Sequence, residues 1–163
     1  MIIKYKKKNL CIDQFKLKCC IGKAGIKKIK FEGDKSTPSG TFRLGNLFLR
    51  GDRIKNIETN IKKIKISKNM GWCNDSRSKK YNRLFVINKK EKFKYEKMFR
   101  NDHKYNMVIP ILYNYYETKK NKGSAIFIHL TKNYKPTSGC IGLIEKDFRI
   151  LLKLIKKNTK IKI

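Results

Sequence analysis

The chain has 163 residues, with 42 Lys or Arg against 12 Asp or Glu, for a net charge of +30. That length suits one domain over residues 1–163 whose core can hold without disulfides or metal, and no stretch reaches the apolar length of a membrane span. Five cysteines, odd in number and irregularly placed, with no CxxC or HxxxH spacing, argue against a disulfide framework and a zinc site.

The charge invites a nucleic-acid reading, because clustered cations neutralise phosphates. Yet only seven of the 42 basic residues are arginine, and the lysines are spread along the whole chain together with Ile and Asn. A compositional bias that coats the surface with lysine accounts for this pattern, and no specific nucleic-acid site is expected. The N-terminus is basic but has no apolar core followed by a small-residue cleavage site, so no signal peptide is read there.

In chain order, Met1 to Ile21 reads as two short strands, with Ile2, Leu10, Ile12, Phe15, Leu17 and Cys19 set among lysines. Glu32 to Phe42, EGDKSTPSGTF, is a dense run of turn formers leading into a strand. Trp72, the only tryptophan, lies in Gly71-Trp72-Cys73-Asn74-Asp75 with polar flanks. It is either a lid on the core or, with Asp75 and Arg83, part of a cleft for a peptide bearing both charges. The planar fork of Arg83 suits a substrate carboxylate. Lys92 to Phe99 reads as a short helix carrying Phe93, Met98 and Phe99. His103 follows Asp102 and is either a surface residue or a second candidate base. Met107 to Tyr113 reads as a strand, with Pro110 pointing to a sheet edge or a bulge.

Gly123 to Leu143, GSAIFIHLTKNYKPTSGCIGL, carries the chemistry. Ala125, Phe127 and His129 share one face of a strand, and Ile126, Ile128 and Leu130 the other. Cys140 lies eleven residues beyond His129, far enough for a loop to return the thiol to the imidazole. An imidazole beside a thiol can take its proton and activate it as a nucleophile. The plain alternative is a buried cysteine and a satisfied core histidine. Thr137, Ser138 and Gly139 permit a tight turn whose N–H groups converge, as an oxyanion hole requires. Phe148, Leu151, Leu152 and Ile155 then fall at i, i+3, i+4 and i+7, which predicts an amphipathic helix over Glu145 to Lys157, and Lys160 to Ile163 can close as a last strand.

His129 with Thr137-Ser138-Gly139-Cys140 resembles the signature of the L,D-transpeptidase (YkuD-type) catalytic domain, which pairs a strand histidine with a Ser/Thr-His-Gly-Cys turn. TPSGTF, residues 37–42, resembles the TP-x-G-x-F turn of the same family. Two departures stand out: Ser138 replaces the usual second histidine, and Gly142 stands where an arginine often follows. Pro136 to Cys140, the GWC-x-D…YNR stretch and Asp102-His103 are similar to a compact proteobacterial branch. The resemblance implies a mainly-β sandwich with a C-terminal amphipathic helix. It also implies Cys140 as nucleophile and His129 as base, with no metal or organic cofactor. The implied partners are peptidoglycan stem peptides in the periplasm or cell envelope, and the implied reaction is crosslinking through a thioester acyl-enzyme. A carboxypeptidase or amidase using the same pair, and a non-catalytic basic domain binding wall or nucleic acid, are the alternatives.

Overall fold

The computed structural model describes residues Met1–Ile163. Its strands are β1 (Ile2–Lys6), β2 (Asn9–Ile12), β3 (Phe15–Cys20), β4 (Ile26–Lys27), β5 (Thr37–Pro38), β6 (Thr41–Arg43), β7 (Leu47–Leu49) and β8 (Lys63–Lys65). The second half adds β9 (Met70–Cys73), β10 (Leu84–Val86), β11 (Tyr95–Lys97), β12 (Met107–Pro110), β13 (Phe127–Leu130), β14 (Ile141–Leu143) and β15 (Lys160–Lys162), with one helix, α1 (Glu145–Leu154). Ten strands form one mixed sheet in the order β6-β15-β1-β2-β3-β14-β13-β12-β7-β8, and β10-β9-β11 form a second sheet. The protein is therefore mainly β with a single C-terminal α-helix, as the family resemblance implied.

Strand alternation sends side chains to two cores. Ile126, Ile128 and Leu130 join Ile141, Leu143 and the apolar stripe of α1 on one face of the large sheet. Phe148, Leu151, Leu152 and Ile155 are fully buried there, each contributing about 2 kcal/mol. Ala125 and Phe127 face the other way, into a smaller core closed by Trp72 and Met98 from the three-stranded sheet. Strand β13 thus lies between two apolar layers.

Four local expectations change. Met1 to Ile21 forms three strands, because Lys7 and Lys8 both take positive φ in a two-residue hairpin turn that carries no glycine to announce it. Lys92 to Phe99 is no helix. Tyr95–Lys97 pairs with β9, and Phe93 and Tyr95 pack edge-on against Phe85 with ring centroids 5.1 and 5.4 Å away, so tertiary pairing overrides local propensity. Strand β12 is internal, between β13 and β7. Its Pro110 is tolerated at the strand end, where Gly45 N–H donates to the Pro110 carbonyl at 2.8 Å and the glycine leaves room for the ring. The helix stops at Leu154, because Ile155 turns extended and Thr159 Oγ1 accepts the Lys156 N–H at 2.8 Å.

Candidate active site

Strands β13 and β14 run parallel, with Ile128 opposite Ile141 and His129 opposite Gly142. One residue back in that register, Cys140 stands beside Phe127, on the face that Phe127 shares with His129. Cys140 and His129 consequently line one cavity of about 630 Å³ at the end of the turn.

The turn is held by the distant 37–42 motif. Buried Thr37 donates its hydroxyl to the Gly139 carbonyl at 2.9 Å and accepts the Gly22 N–H at 2.9 Å. Ser36 O closes the other side: a Cβ on Gly139 would lie 2.7 Å from it, at a φ of +134°, so only glycine fits. Ser36 is fixed in turn by Asp34, whose carboxylate accepts its N–H and hydroxyl at 2.9 and 2.7 Å and pairs with buried Lys30 at 2.6 Å. Within the turn, Thr137 donates to the Cys140 carbonyl at 2.6 Å and accepts the Gly139 N–H at 3.1 Å. The N–H groups of Ser138 and Cys140 have no protein acceptor.

Nδ1 of His129 lies 2.9 Å from the Leu130 carbonyl. A carbonyl can only accept, so Nδ1 carries the proton and Nε2 holds the free lone pair. Burial, only partly offset by that hydrogen bond, lowers the His129 pKa to about 4, and the ring is neutral at pH 7. The Cys140 sulfur accepts the Phe127 N–H and donates to the Ala125 carbonyl, both at 3.3 Å, and no hydrogen bond joins it to His129. Burial, with the nearby Glu96 charge, pushes the thiol up to about 12. The resting pair is thiol and imidazole, not thiolate and imidazolium.

Glu96, Arg100 and Tyr105 complete the wall. Tyr105 donates to the Glu96 carboxylate and packs its ring 5.7 Å from that of His129. The Arg100 guanidinium lies 4.8 Å over the Tyr105 ring and forks onto Asp102 at 3.0 and 2.6 Å. Burial raises the Glu96 pKa, opposed by the Tyr105 hydroxyl and the Arg100 charge. Sequence reasoning missed these three. The available signal was the alternation of Phe93 and Tyr95 against Glu96 and Met98, which marks a strand with one acid facing inward.

Thr137, Ser138 and His103 line the cavity with Cys140 and His129. His103 keeps its Nε2 buried without a partner, and burial lowers its pKa. Trp72, Asp75 and Arg83 do not line it. Trp72 is buried, with its ring 5.1 Å from Phe127 and its Nε1–H on Asn82 Oδ1 at 3.0 Å. Asp75 pairs with Arg77 at 3.0 Å, and the Arg83 guanidinium lies 4.4 Å over the Tyr115 ring. Their polar flanks in sequence hid the three-stranded sheet that enfolds them. Asn82, within the YNR stretch, ties this region to the segment leading into β13 by accepting the Ala125 N–H at 3.1 Å and donating to the Tyr113 and Asn114 carbonyls at 3.0 and 2.7 Å.

Gly142 also has a structural reason. A Cβ there would meet the Cys20 sulfur at 2.6 Å, so cysteine occupies the space an arginine stem would need.

A strand histidine and a cysteine turn thus border one cavity at the side of a mixed sheet. The family model described as the L,D-transpeptidase catalytic domain (YkuD) matches residues 4–163, and the chain belongs to that family. Proteins of this family are in general L,D-transpeptidases that act on peptidoglycan. Among solved structures, the chain is similar to the helical cell shape determining protein Pgp2 from Campylobacter jejuni, with a TM-score of 0.52 and 18% identity. The match covers 99% of this chain and 46% of that one, so the chain spans under half the length of that relative. No curated protein is matched. No helix is long and apolar enough to cross a membrane.

Proposed function

We propose that the protein is an L,D-transpeptidase acting on peptidoglycan stem peptides, with Cys140 as nucleophile and His129 as base. The observation that supports this reading is the β13–β14 register, which sets Cys140 and His129 along one cavity. Cys140 rotates about its Cα–Cβ bond, away from the β13 backbone, as the substrate carbonyl enters. The sulfur electron pair then bonds to the carbonyl carbon of the penultimate stem residue while the thiol proton passes to His129 Nε2. With the thiol near 12 and the imidazole near 4, the proton moves only as the new S–C bond forms.

The unpaired N–H groups of Ser138 and Cys140 receive the oxyanion, each donor contributing about 3 kcal/mol. Imidazolium protonates the departing amine of the terminal D-residue, leaving a thioester. An amine of a second stem adds to the thioester, gives up its proton to His129 and releases the thiol as a new amide forms. Arg100, Lys104, Lys132 and Lys135 line the cavity against a single carboxylate, Glu96, and draw the carboxylates of a stem peptide.

Incubation with a carbapenem tests the assignment. The expected result is a covalent adduct mapped by mass spectrometry to Cys140, lost in Cys140→Ala and slowed at least 100-fold in His129→Gln. A folded protein that forms no adduct, or forms one at another cysteine, refutes it. Product analysis with purified tetrapeptide, with and without an acceptor stem, then separates crosslinking from hydrolysis.

A further inference from the structure

Of the seven large hydrophobic side chains left exposed, three fall within six residues: Ile26 at 38%, Ile29 at 68% and Phe31 at 51%. A well-held loop presents them. Strand β4 pairs with β5, and the loop is fixed to the 37–42 motif by the Thr37 N–H on the Gly25 carbonyl at 2.8 Å and the Ser39 N–H on the Lys27 carbonyl at 2.9 Å. Lys30 turns inward to Asp34 at 2.6 Å, and Asp34 also accepts the Phe31 N–H at 3.1 Å. Ile29 and Phe31, on either side of that buried lysine, project outward.

The rim of this apolar tip is cationic. Lys27, Lys28 and Lys35 are exposed on the same segment. A second loop joins it where the Glu32 N–H donates to the Asn121 carbonyl at 3.1 Å. That contact brings exposed Lys119, Lys120 and Lys122 alongside, with the Lys122 ammonium 4.7 Å over the Phe31 ring. None of the six lysines is in an ion pair. Of the acids on the two loops, Asp34 is taken by Lys30 and the Glu32 carboxylate by the Tyr81 and Ser124 hydroxyls, which leaves Glu117 as the exposed one.

Lysine coating explains the charge but not the gathering of apolar side chains, which marks an interaction surface. Phosphates alone give Ile26 and Ile29 nothing to bind, and a single phenyl ring is no stacking ladder for bases. None of the three apolar residues lines either large cavity, so a protein partner finds no pocket here to fill. An anionic bilayer matches both features. Aliphatic and phenyl side chains enter its acyl boundary, while lysine stems bend back to put their ammonium groups among the headgroups.

We propose that the Ile26–Phe31 loop docks the protein on an anionic phospholipid surface. The inference stands independently of the catalytic reading. Each lysine close to such a surface strengthens binding about fivefold, and the three apolar side chains decide which face of the protein meets the lipid.

Partition of the full chain onto phosphatidylglycerol–phosphatidylethanolamine vesicles, measured by co-sedimentation, tests the proposal. A net charge of +30 draws any face toward anionic lipid, so variants of equal charge are compared. Ile29→Ser/Phe31→Ser, which keeps every charge, should weaken partition at least tenfold. Lys27→Gln/Lys28→Gln should weaken it at least fivefold more than Lys146→Gln/Lys153→Gln, which removes the same charge from α1. In Phe31→Trp, phosphatidylglycerol brominated on its acyl chains should quench the added fluorescence, whereas Trp72, only 4% exposed, stays out of reach. No partition, unchanged partition of the serine variant, equal losses from the two lysine pairs, or no quenching in Phe31→Trp overturns the proposal. So does an equal loss of single-stranded oligonucleotide binding in the serine variant, which would mark a nucleic-acid surface instead.

Discussion

Replacing Thr37 by valine removes one hydroxyl and little volume, yet it should disturb both stability and chemistry. That hydroxyl is fully buried and makes two hydrogen bonds, to the Gly139 carbonyl and from the Gly22 N–H, each 2.9 Å long. Valine leaves both backbone groups unpaired in a place water does not reach. An orphaned buried polar group costs about 1–3 kcal/mol, so the pair should cost about 3 kcal/mol in all. For a chain of this size that lowers the Tm by roughly 6–12 °C. Because the lost partner is the carbonyl of Gly139, the turn bearing Cys140 loosens as well, and carbapenem acylation should slow more than tenfold at a temperature where the variant is still folded. Thr37→Ser, which keeps the hydroxyl, should recover most of both losses. Urea denaturation gives the first quantity and the time course of adduct mass the second. A valine variant within about 0.5 kcal/mol of the parent and within twofold in acylation would refute the view that Thr37 pins the nucleophile turn.

His129 makes stability depend on pH in a defined window. Its folded pKa, about 4, is below its ordinary value of 6.5, so the unfolded chain binds the extra proton between those limits. Stability should be full above pH 6.5 and fall as pH drops toward 4, by about 3 kcal/mol relative to His129→Gln. Urea midpoints of both proteins from pH 4 to 8 check it, and parallel curves would contradict it. Gly142→Arg, which restores a common family residue, should destabilise the protein by about 1–3 kcal/mol, because the new Cβ collides with the Cys20 sulfur 2.6 Å away. Adding Cys20→Ala should recover part of that loss in thermal denaturation. An unchanged Tm for Gly142→Arg alone would show that the sheet yields there.

Patterns that act over a few residues were readable without coordinates. The period-two alternation assigned the two faces of β13 from Phe127 to Leu130, whereas Ala125 lies ahead of the strand at a φ of +52° and still joins the Phe127 core. The apolar stripe from Phe148 to Ile155 predicted α1 for the same kind of reason, and only its end, set by Thr159, was missed. The spacing of His129 and Cys140 with a glycine turn nominated the reacting pair.

What depends on partners far along the chain was decided only on folding. Lys92 to Phe99 carries apolar residues that serve a helix as well as a strand, and pairing with β9 chose the strand. That choice carries Glu96 to the wall of the Cys140–His129 cavity, where Tyr105 meets it, and it buries Trp72 away from the cavity for which its polar neighbours had suggested it. Thr37 and Gly139 are separated by 102 residues, and the sequence shows both motifs without showing that one holds the other. Local chemistry therefore nominated Cys140 and His129 for the roles proposed for them. Their protonation states, their hydrogen-bonding and the surrounding residues came from burial and long-range contact, quantities that no short window of sequence contains.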